Sequence, residues 1–208
     1  RSVVRQSLSE PRISLFPRTT LPLLILAVLC TAGAYGQTAA PARSTEIGDI
    51  IARVSADTLM ERVRELCGER RVYVLGMDTL ITNRLDGKDS TNNELTGDYL
   101  EQQLLRYGLL AGSQRFQDWG RNVLAIQQGV TYPDIKYIIC GHYDAATFGF
   151  PGADDNASGT AGVLEAARLL SRYSFDYTIE YILWDGEERG LVGSREYARE
   201  ARMRGDSI

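Results

Sequence analysis

The chain has 208 residues, of which 44% are hydrophobic and 24% are charged, values that are ordinary for a globular domain with a sizeable core. The formal net charge is −4. Residues 1–36 carry four arginines and one glutamate, a net of +3, which leaves −7 for the rest of the chain. An acidic domain without a basic cluster argues against nucleic acid as a partner.

The first residues have the composition of an export signal. A basic flank precedes an apolar run at residues 21–29, and small residues follow at positions 31–34. This order is typical of a secretory signal peptide, which we assign to residues 1–36, with cleavage after Ala34 or Gly36. We therefore expect a secreted or periplasmic protein.

Two other uses of the apolar run are less favoured. An uncleaved anchor would need roughly 18 or more apolar residues, so we expect no stable membrane span. Lipid attachment at Cys30 is also disfavoured, because the bulky Leu29 stands where a small residue is needed.

The remaining chain divides into a polar linker at residues 37–54 and a domain at residues 55–208. Helical spacing and apolar runs place the elements of this domain: helices near 55–67, 93–107, 158–172 and 190–204, and strands near 72–75, 114–117, 122–127, 137–140 and 177–184. Such alternation predicts an α/β fold with three layers, in which a mostly parallel, mixed central sheet has helices on both faces.

Candidate metal ligands follow the predicted strand ends. His142 comes directly after the strand at 137–140, and Asp155 follows a short loop with glycine. Glu188 follows the next strand. Because the carboxyl ends of parallel strands meet at one edge of a sheet, we expect these three side chains to lie together. Imidazole and carboxylate groups are ligands of hydrolytic zinc.

Two neighbouring carboxylates complete the predicted site. Glu187 stands beside a ligand without being needed as one, so it is a candidate general base that activates a water. Asp144, two residues after His142, is placed to orient the imidazole ring, as ligating histidines usually require.

Each of these residues also has an ordinary structural interpretation. A lone histidine is commonly a hydrogen-bonded structural residue, and a Glu-Glu pair after a strand is usually a solvated loop. The Asp-Asp-Asn sequence before a helix is also typical of a helix N-cap region. The metal interpretation is preferred because all three features occur at predicted strand ends.

The chain contains three cysteines, one of them in the leader. The other two, Cys67 and Cys140, allow one disulfide but no disulfide scaffold. The short apolar run at 137–140 predicts a strand buried on both faces, so Cys140 fits better as a small buried hydrophobe.

Three sequence motifs resemble the co-catalytic dizinc aminopeptidase family. They are Gly-His-Tyr-Asp at 141–144, Pro-Gly-Ala-Asp-Asp-Asn-Ala-Ser-Gly at 151–159 and Asp-Gly-Glu-Glu-Arg-Gly-Leu-Val-Gly-Ser at 185–194. The family includes secreted bacterial aminopeptidases and, more distantly, glutamate carboxypeptidase II and glutaminyl cyclases. The resemblance implies a phosphorylase/hydrolase-like zinc peptidase fold with two Zn²⁺ ions per complete enzyme.

The resemblance also implies a role for each candidate residue. His142 would bind one zinc, Asp155 would bridge both, and Glu188 would bind the second. Glu187 would be the general base, and Asp144 the carboxylate that steers His142. The family pattern has two further ligands downstream, an Asp and a His, which this sequence lacks. We therefore expect the N-terminal part of a longer enzyme, inactive and weakly zinc-binding by itself.

The sequence thus predicts an exported zinc exopeptidase that removes N-terminal residues from peptide substrates. One alternative is a glutaminyl cyclase, although those enzymes usually differ at residues 153–159. A second alternative is a catalytically dead binding module with the same fold. The intact His142, Asp155, Glu187 and Glu188 argue against it, since a dead site has no physical need for this combination.

Overall fold

The computed structural model describes residues 44–85, 91–146 and 151–208. The predicted signal peptide lies outside these ranges. The helices are α1 Thr45–Ala52, α2 Ala56–Leu66, α3 Thr91–Arg106, α4 Ser158–Leu170 and α5 Val192–Arg204, and the strands are β1 Val72–Val74, β2 Met77–Thr79, β3 Leu110–Phe116, β4 Gly120–Gln127, β5 Tyr132–His142 and β6 Tyr177–Trp184. Within the described ranges, no helix has the length and apolar character needed to cross a membrane.

Part of the predicted linker is helical. The structure describes residues 44–54 of it, and helix α1 occupies most of them. Ser44 caps this helix, because its side chain accepts a hydrogen bond from the backbone N–H of Ile47. None of the residues of α1 is buried. The capping residue and the helical spacing of Ile47, Ile50 and Ile51 account for this helix, although its residues are not buried.

The main sheet is mixed and has the strand order β3-β4-β6-β5, while β1 and β2 form a separate antiparallel pair. The predicted mixed α/β class is confirmed. The sheet has fewer parallel strand pairs than expected. Among its described strands, β3–β4 and β4–β6 are antiparallel, and β5–β6 is parallel. The turn between β3 and β4 is too short for the crossover connection that a parallel pair requires.

Helices cover both faces of this sheet. On β6, Ile179, Tyr181 and Leu183 point to the face that packs against α2, α3 and α4. Ile182 points to the opposite face and packs with Tyr197 of α5. The alternation along one strand therefore serves two hydrophobic clusters and gives the three layers expected.

Strand β5 is more exposed than the sequence predicts. Its apolar run indicates a strand buried on both faces, but the residues of β5 are exposed or half-buried, and Cys140 is exposed. The reason is its position at the end of the described sheet, whereas β6 lies between β4 and β5 and is buried along most of its length. Cys140 is thus not the buried hydrophobe predicted, and both it and Cys67 are free thiols.

Candidate metal site

The ends of β5 and β6 lie level with each other. In their parallel pairing, His142 is the register partner of Trp184. The next residue, Tyr143, continues the contact, because its backbone N–H donates to the carbonyl oxygen of Trp184 at 2.9 Å. The residues that follow both strands are therefore brought to one edge of the sheet, where the sequence predicts the site.

The start of α4 is held against the end of β5, which brings Asp155 to the same edge. Thr160 Oγ1 donates a hydrogen bond to the carbonyl oxygen of His142 at 2.8 Å. Gly141 allows the approach, since a Cβ atom there would lie 3.2 Å from the carbonyl carbon of Gly159. The glycines of the two motifs thus bring the loop that precedes α4 close to the imidazole.

The three predicted ligands meet in one cluster. His142, Asp155 and Glu188 each offer one ligand atom, and these atoms lie within 4.8 Å of one another. The Nε2 atom of His142 is 3.0 Å from Asp155 Oδ1. The cluster is open on one side, because the Asp155 side chain is 77% exposed whereas that of His142 is 12% exposed.

Asp144 lies behind the imidazole and is completely buried. Its Oδ1 atom is 3.4 Å from His142 Nδ1, within ion-pair range but outside hydrogen-bond geometry. Its Oδ2 atom accepts a hydrogen bond from the backbone N–H of Glu188 at 3.1 Å. One buried carboxylate therefore contacts two of the three candidate ligands, in the orienting position predicted for it.

Charge crowding changes the acid–base behaviour of the site. Burial lowers the pKa of His142, but the carboxylates of Asp144, Glu187 and Asp155 outweigh it and raise that pKa above its ordinary value of 6.5. Burial, followed by the charges of Asp155 and Asp144, raises the pKa of Glu188. Glu187 Oε2 lies 3.9 Å from His142 Nε2 and faces the same space. A cation bound there would relieve the repulsion among the carboxylates.

A buried hydrogen-bond network supports the loop that carries Glu187 and Glu188. The Asp185 carboxylate accepts hydrogen bonds from Asn93 Nδ2, from the backbone N–H of Arg121 and from its neighbour Gly186. Burial nevertheless raises the pKa of Asp185 from 3.8 to about 6. Asp185 is not among the residues predicted from the sequence, although an aspartate directly after an apolar strand is a signal for such a position.

The other side of the same loop is held by Asn122. Its Oδ1 atom accepts from the backbone N–H of Asp185 at 3.0 Å, and its Nδ2 atom donates to the carbonyl oxygen of Gly193 at 2.9 Å. A Cβ atom at Gly193 would lie 2.2 Å from Asn122 Oδ1, so only glycine fits there. The loop after β6 is thus fixed at both of its ends.

An open cavity of about 360 Å³ adjoins the cluster and is lined in part by Asp155 and Glu188. Alanine side chains and the turn at Pro151 and Gly152 form another part of its wall. The cavity gives a small group access to the candidate ligands.

The donor set fits zinc. One imidazole nitrogen and two carboxylate oxygens converge, and these are the ligand types of catalytic zinc sites. The buried carboxylate of Asp144 behind the imidazole matches the arrangement in which a carboxylate orients a ligating histidine.

Comparison with known sequences supports this interpretation. Residues 122–208 match the sequence profile of peptidase family M28. Aminopeptidase YwaD of Bacillus subtilis is 42% identical over 79 residues, which cover 37% of this chain and 17% of the relative. A probable zinc metalloprotease of Pyrenophora tritici-repentis is 26% identical over 175 residues, covering 74% of this chain and 39% of the relative. The chain therefore spans well under half the length of these curated relatives.

Solved structures agree on the fold. The LapA aminopeptidase of Legionella pneumophila superimposes with a TM-score of 0.62 at 21% identity, covering 79% of this chain and 43% of that one. The glutaminyl cyclase of Porphyromonas gingivalis gives a TM-score of 0.58 at 22% identity, with 70% and 53% covered. The predicted fold is thus confirmed, and residues 122–208 carry the sequence similarity to peptidase family M28.

Proposed function

We propose that the chain belongs to an exported zinc aminopeptidase, which hydrolyses the N-terminal residue from peptides. One observation carries the proposal: His142, Asp155 and Glu188 offer three zinc-type ligand atoms within 4.8 Å of one another. Glu187 faces the same space, and its side chain remains 33% exposed. A peptide entering the adjoining cavity would therefore meet candidate ligands and a candidate base together.

Each residue has a distinct role in this proposal. His142, Asp155 and Glu188 would hold the metal. When bound, Zn²⁺ polarises the scissile carbonyl and makes water more acidic. Glu187 accepts a proton from the attacking water and returns it to the leaving amine. Asp144 keeps the imidazole of His142 in a fixed orientation, since it is buried and contacts both His142 and Glu188.

Two metal ions are part of the proposal. Asp155 lies in the irregular segment just before α4 and exposes its carboxylate, so one oxygen can face His142 while the other would be available to a second ion. A short carboxylate of this kind can bridge two metals roughly 3.5–4 Å apart. Glu188 would hold the second ion.

The proposal is tested with the full-length protein, purified and assayed in its zinc-loaded form. We expect two zinc ions per chain and the release of free amino acids from unblocked peptides. N-acetylated peptides of the same sequence are the matched control and should not be hydrolysed. Efficient cleavage of the blocked peptides would contradict the aminopeptidase assignment. The protein would then be a metalloprotease that does not require a free N-terminus.

A glutaminyl cyclase is the second candidate, favoured by the similarity in fold to enzymes of that name. Cyclisation uses the substrate's own amine as nucleophile and therefore needs no activated water. The same preparation should be assayed with peptides that begin with glutamine. One zinc per chain, with pyroglutamate formation and no release of amino acids, would establish the cyclase. A preparation that binds peptide without either reaction would establish a binding module.

The 208-residue chain by itself is expected to be inactive and to bind zinc weakly. His142 is the only histidine in the sequence, and with Asp155 and Glu188 it supplies two ligands to each of two metals, counting the bridge twice. Catalytic zinc sites normally have three protein ligands. Turnover of an aminoacyl chromogen by this chain at a rate typical of enzymes would contradict the expectation.

A further inference from the structure

Arg84 is one of the most deeply buried charged residues in the described part of the chain, with 2% of its surface exposed. It lies in an irregular segment between β2 and α3, outside the three motifs. A guanidinium group in such a position must have its donors satisfied, because an unpaired buried charge is strongly destabilising.

The guanidinium satisfies its donors with backbone carbonyl oxygens from three separate segments. Nε donates to Tyr143 at 2.7 Å, just beyond β5. Nη1 donates to Leu66 at 2.5 Å, at the end of α2, and to Pro151 at 2.8 Å. Nη2 donates to Gly152 at 2.8 Å. Arg84 therefore ties the segment after His142 to the segment before Asp155.

The backbone of Arg84 reinforces the same connection. Its carbonyl oxygen accepts a hydrogen bond from the N–H of Ala145 at 2.9 Å, and Leu85 forms a β-bridge with Ala145. Arg84 thus holds the residues on both sides of Asp144, through the carbonyl oxygen of Tyr143 and the N–H of Ala145.

Gly152 is fitted to this guanidinium. Its φ angle is +59°, and a Cβ atom would lie 2.8 Å from Arg84 Nη2 and 2.5 Å from the carbonyl oxygen of Asp155. The turn that leads to Asp155 is therefore shaped against the arginine itself, in a conformation that favours glycine.

We propose that Arg84 is a positioning residue of the metal site, which fixes the separation between His142 and Asp155 through the backbone on either side of them. The inference rests on the proposed metal site. Arg84 touches neither ligand directly. Its effect is to hold the ligand atoms in place before the metal binds, which raises affinity by reducing the ordering that binding requires.

Arginine is suited to this role because its fork presents donors in several fixed directions. Lysine keeps the charge but offers a single ammonium group on a flexible stem, so it cannot reach the same carbonyls in the same geometry. Glutamine removes the charge and retains only two donors. The two substitutions therefore separate the loss of geometry from the loss of charge.

The test compares Arg84→Lys and Arg84→Gln with Arg62→Lys in the full-length protein. Arg62 is a matched control, because it is partly buried and bonds Glu65 and Tyr99 within the α2–α3 layer. Three quantities are measured for each folded variant: thermal stability, zinc affinity by chelator competition, and the visible spectrum of the cobalt-substituted protein, which reports ligand geometry.

We expect both Arg84 variants to bind zinc about 10- to 100-fold more weakly, the usual effect of losing support behind metal ligands, with an altered cobalt spectrum. Arg62→Lys should lower stability while leaving affinity and spectrum unchanged. Arg84 variants that bind zinc as tightly as the wild type would overturn this inference but not the proposed function. A wild-type protein that binds no zinc would overturn the proposed function. If both Arg84 variants fail to fold while Arg62→Lys folds, Arg84 serves the fold and the inference is wrong.

Discussion

The buried carboxylate of Asp144 accepts a hydrogen bond from the backbone N–H of Glu188, with 3.1 Å between the nitrogen and Oδ2. The two residues follow different strands, β5 and β6, and are 44 positions apart in the chain. The same carboxylate lies 3.4 Å from the imidazole of His142. A single side chain thus connects the segments that carry two candidate ligands. Substitution of Asp144 tests whether this carboxylate supports metal binding.

Asp144→Asn should weaken zinc binding about 10- to 100-fold. The amide oxygen can still accept from Glu188, which turns the amide nitrogen towards His142 Nδ1. Nδ1 must then accept, so the proton moves to Nε2, the atom that faces Asp155. Chelator competition measures the affinity, and Asp154→Asn, an exposed neighbour that also loses one charge, is the control. Equal zinc affinity in both variants would show that Asp144 does not set the tautomer.

Glu187→Gln and Glu188→Gln should separate base from ligand. Glu187→Gln should keep its zinc content near that of the wild type while kcat falls about 10²- to 10⁴-fold, the usual contribution of a general base. Glu188→Gln should instead reduce the amount of bound zinc, because a neutral amide is a poorer ligand. Metal analysis and steady-state kinetics on the two variants decide the matter. The opposite pattern would exchange the two roles.

Asp185 should make the stability of the metal-free protein depend on pH. Burial raises its pKa from 3.8 to about 6, so the folded state disfavours the charged form. Its contribution to stability is therefore fully present below pH 3.8 and is lost as the pH rises through about 6. This difference in pKa corresponds to about 3 kcal/mol.

The measurement is denaturant unfolding of wild type and Asp185→Asn at several pH values. Asparagine does not titrate, so the wild-type free energy of unfolding minus that of the variant should fall by up to about 3 kcal/mol as the pH rises across this range. A constant difference would mean that the hydrogen bonds to Asp185 offset its burial, and an increase with pH would mean that they outweigh it.

The leader should be removed on export. The basic flank, the apolar run at residues 21–29 and the small residues after it predict a mature chain that starts near Tyr35 or Gln37. N-terminal sequencing of the protein recovered outside the cytoplasm tests this prediction. A retained apolar run would instead indicate a membrane anchor.

Much of the fold near the site follows from local sequence. The strand predicted at residues 177–184 is β6, and the helices predicted at 158–172 and 190–204 are α4 and α5 with ends displaced by at most two residues. These elements have strong local signals: an apolar run interrupted only by Thr178 and Glu180, helical spacing in the two helices, and glycines near their ends. The candidate ligands could be proposed because each lies in a loop beside such an element, and chain order alone places these loops near strand ends.

Other features depend on contacts between distant segments. The exposure of Cys140 depends on which strand lies at the end of the described sheet, and an apolar run is the same in a central or an outer strand. The antiparallel pairing of β4 with β6 likewise joins strands far apart in the chain. Neither has a local signal, because each is decided by the strand's neighbours.

The residues of the site also divide into those with a local sequence signal and those that only contacts between distant segments reveal. The sequence by itself identified the candidate residues for the chemistry, since His142, Asp155, Glu187 and Glu188 stand in motifs beside predicted elements. Only the tertiary structure identified Arg84, whose isolated position in a polar segment gives no sign of burial. Its donors are satisfied by carbonyl oxygens from three segments, and every sequence supplies the same carbonyl groups. Which of them converge on one guanidinium is decided by the folded chain.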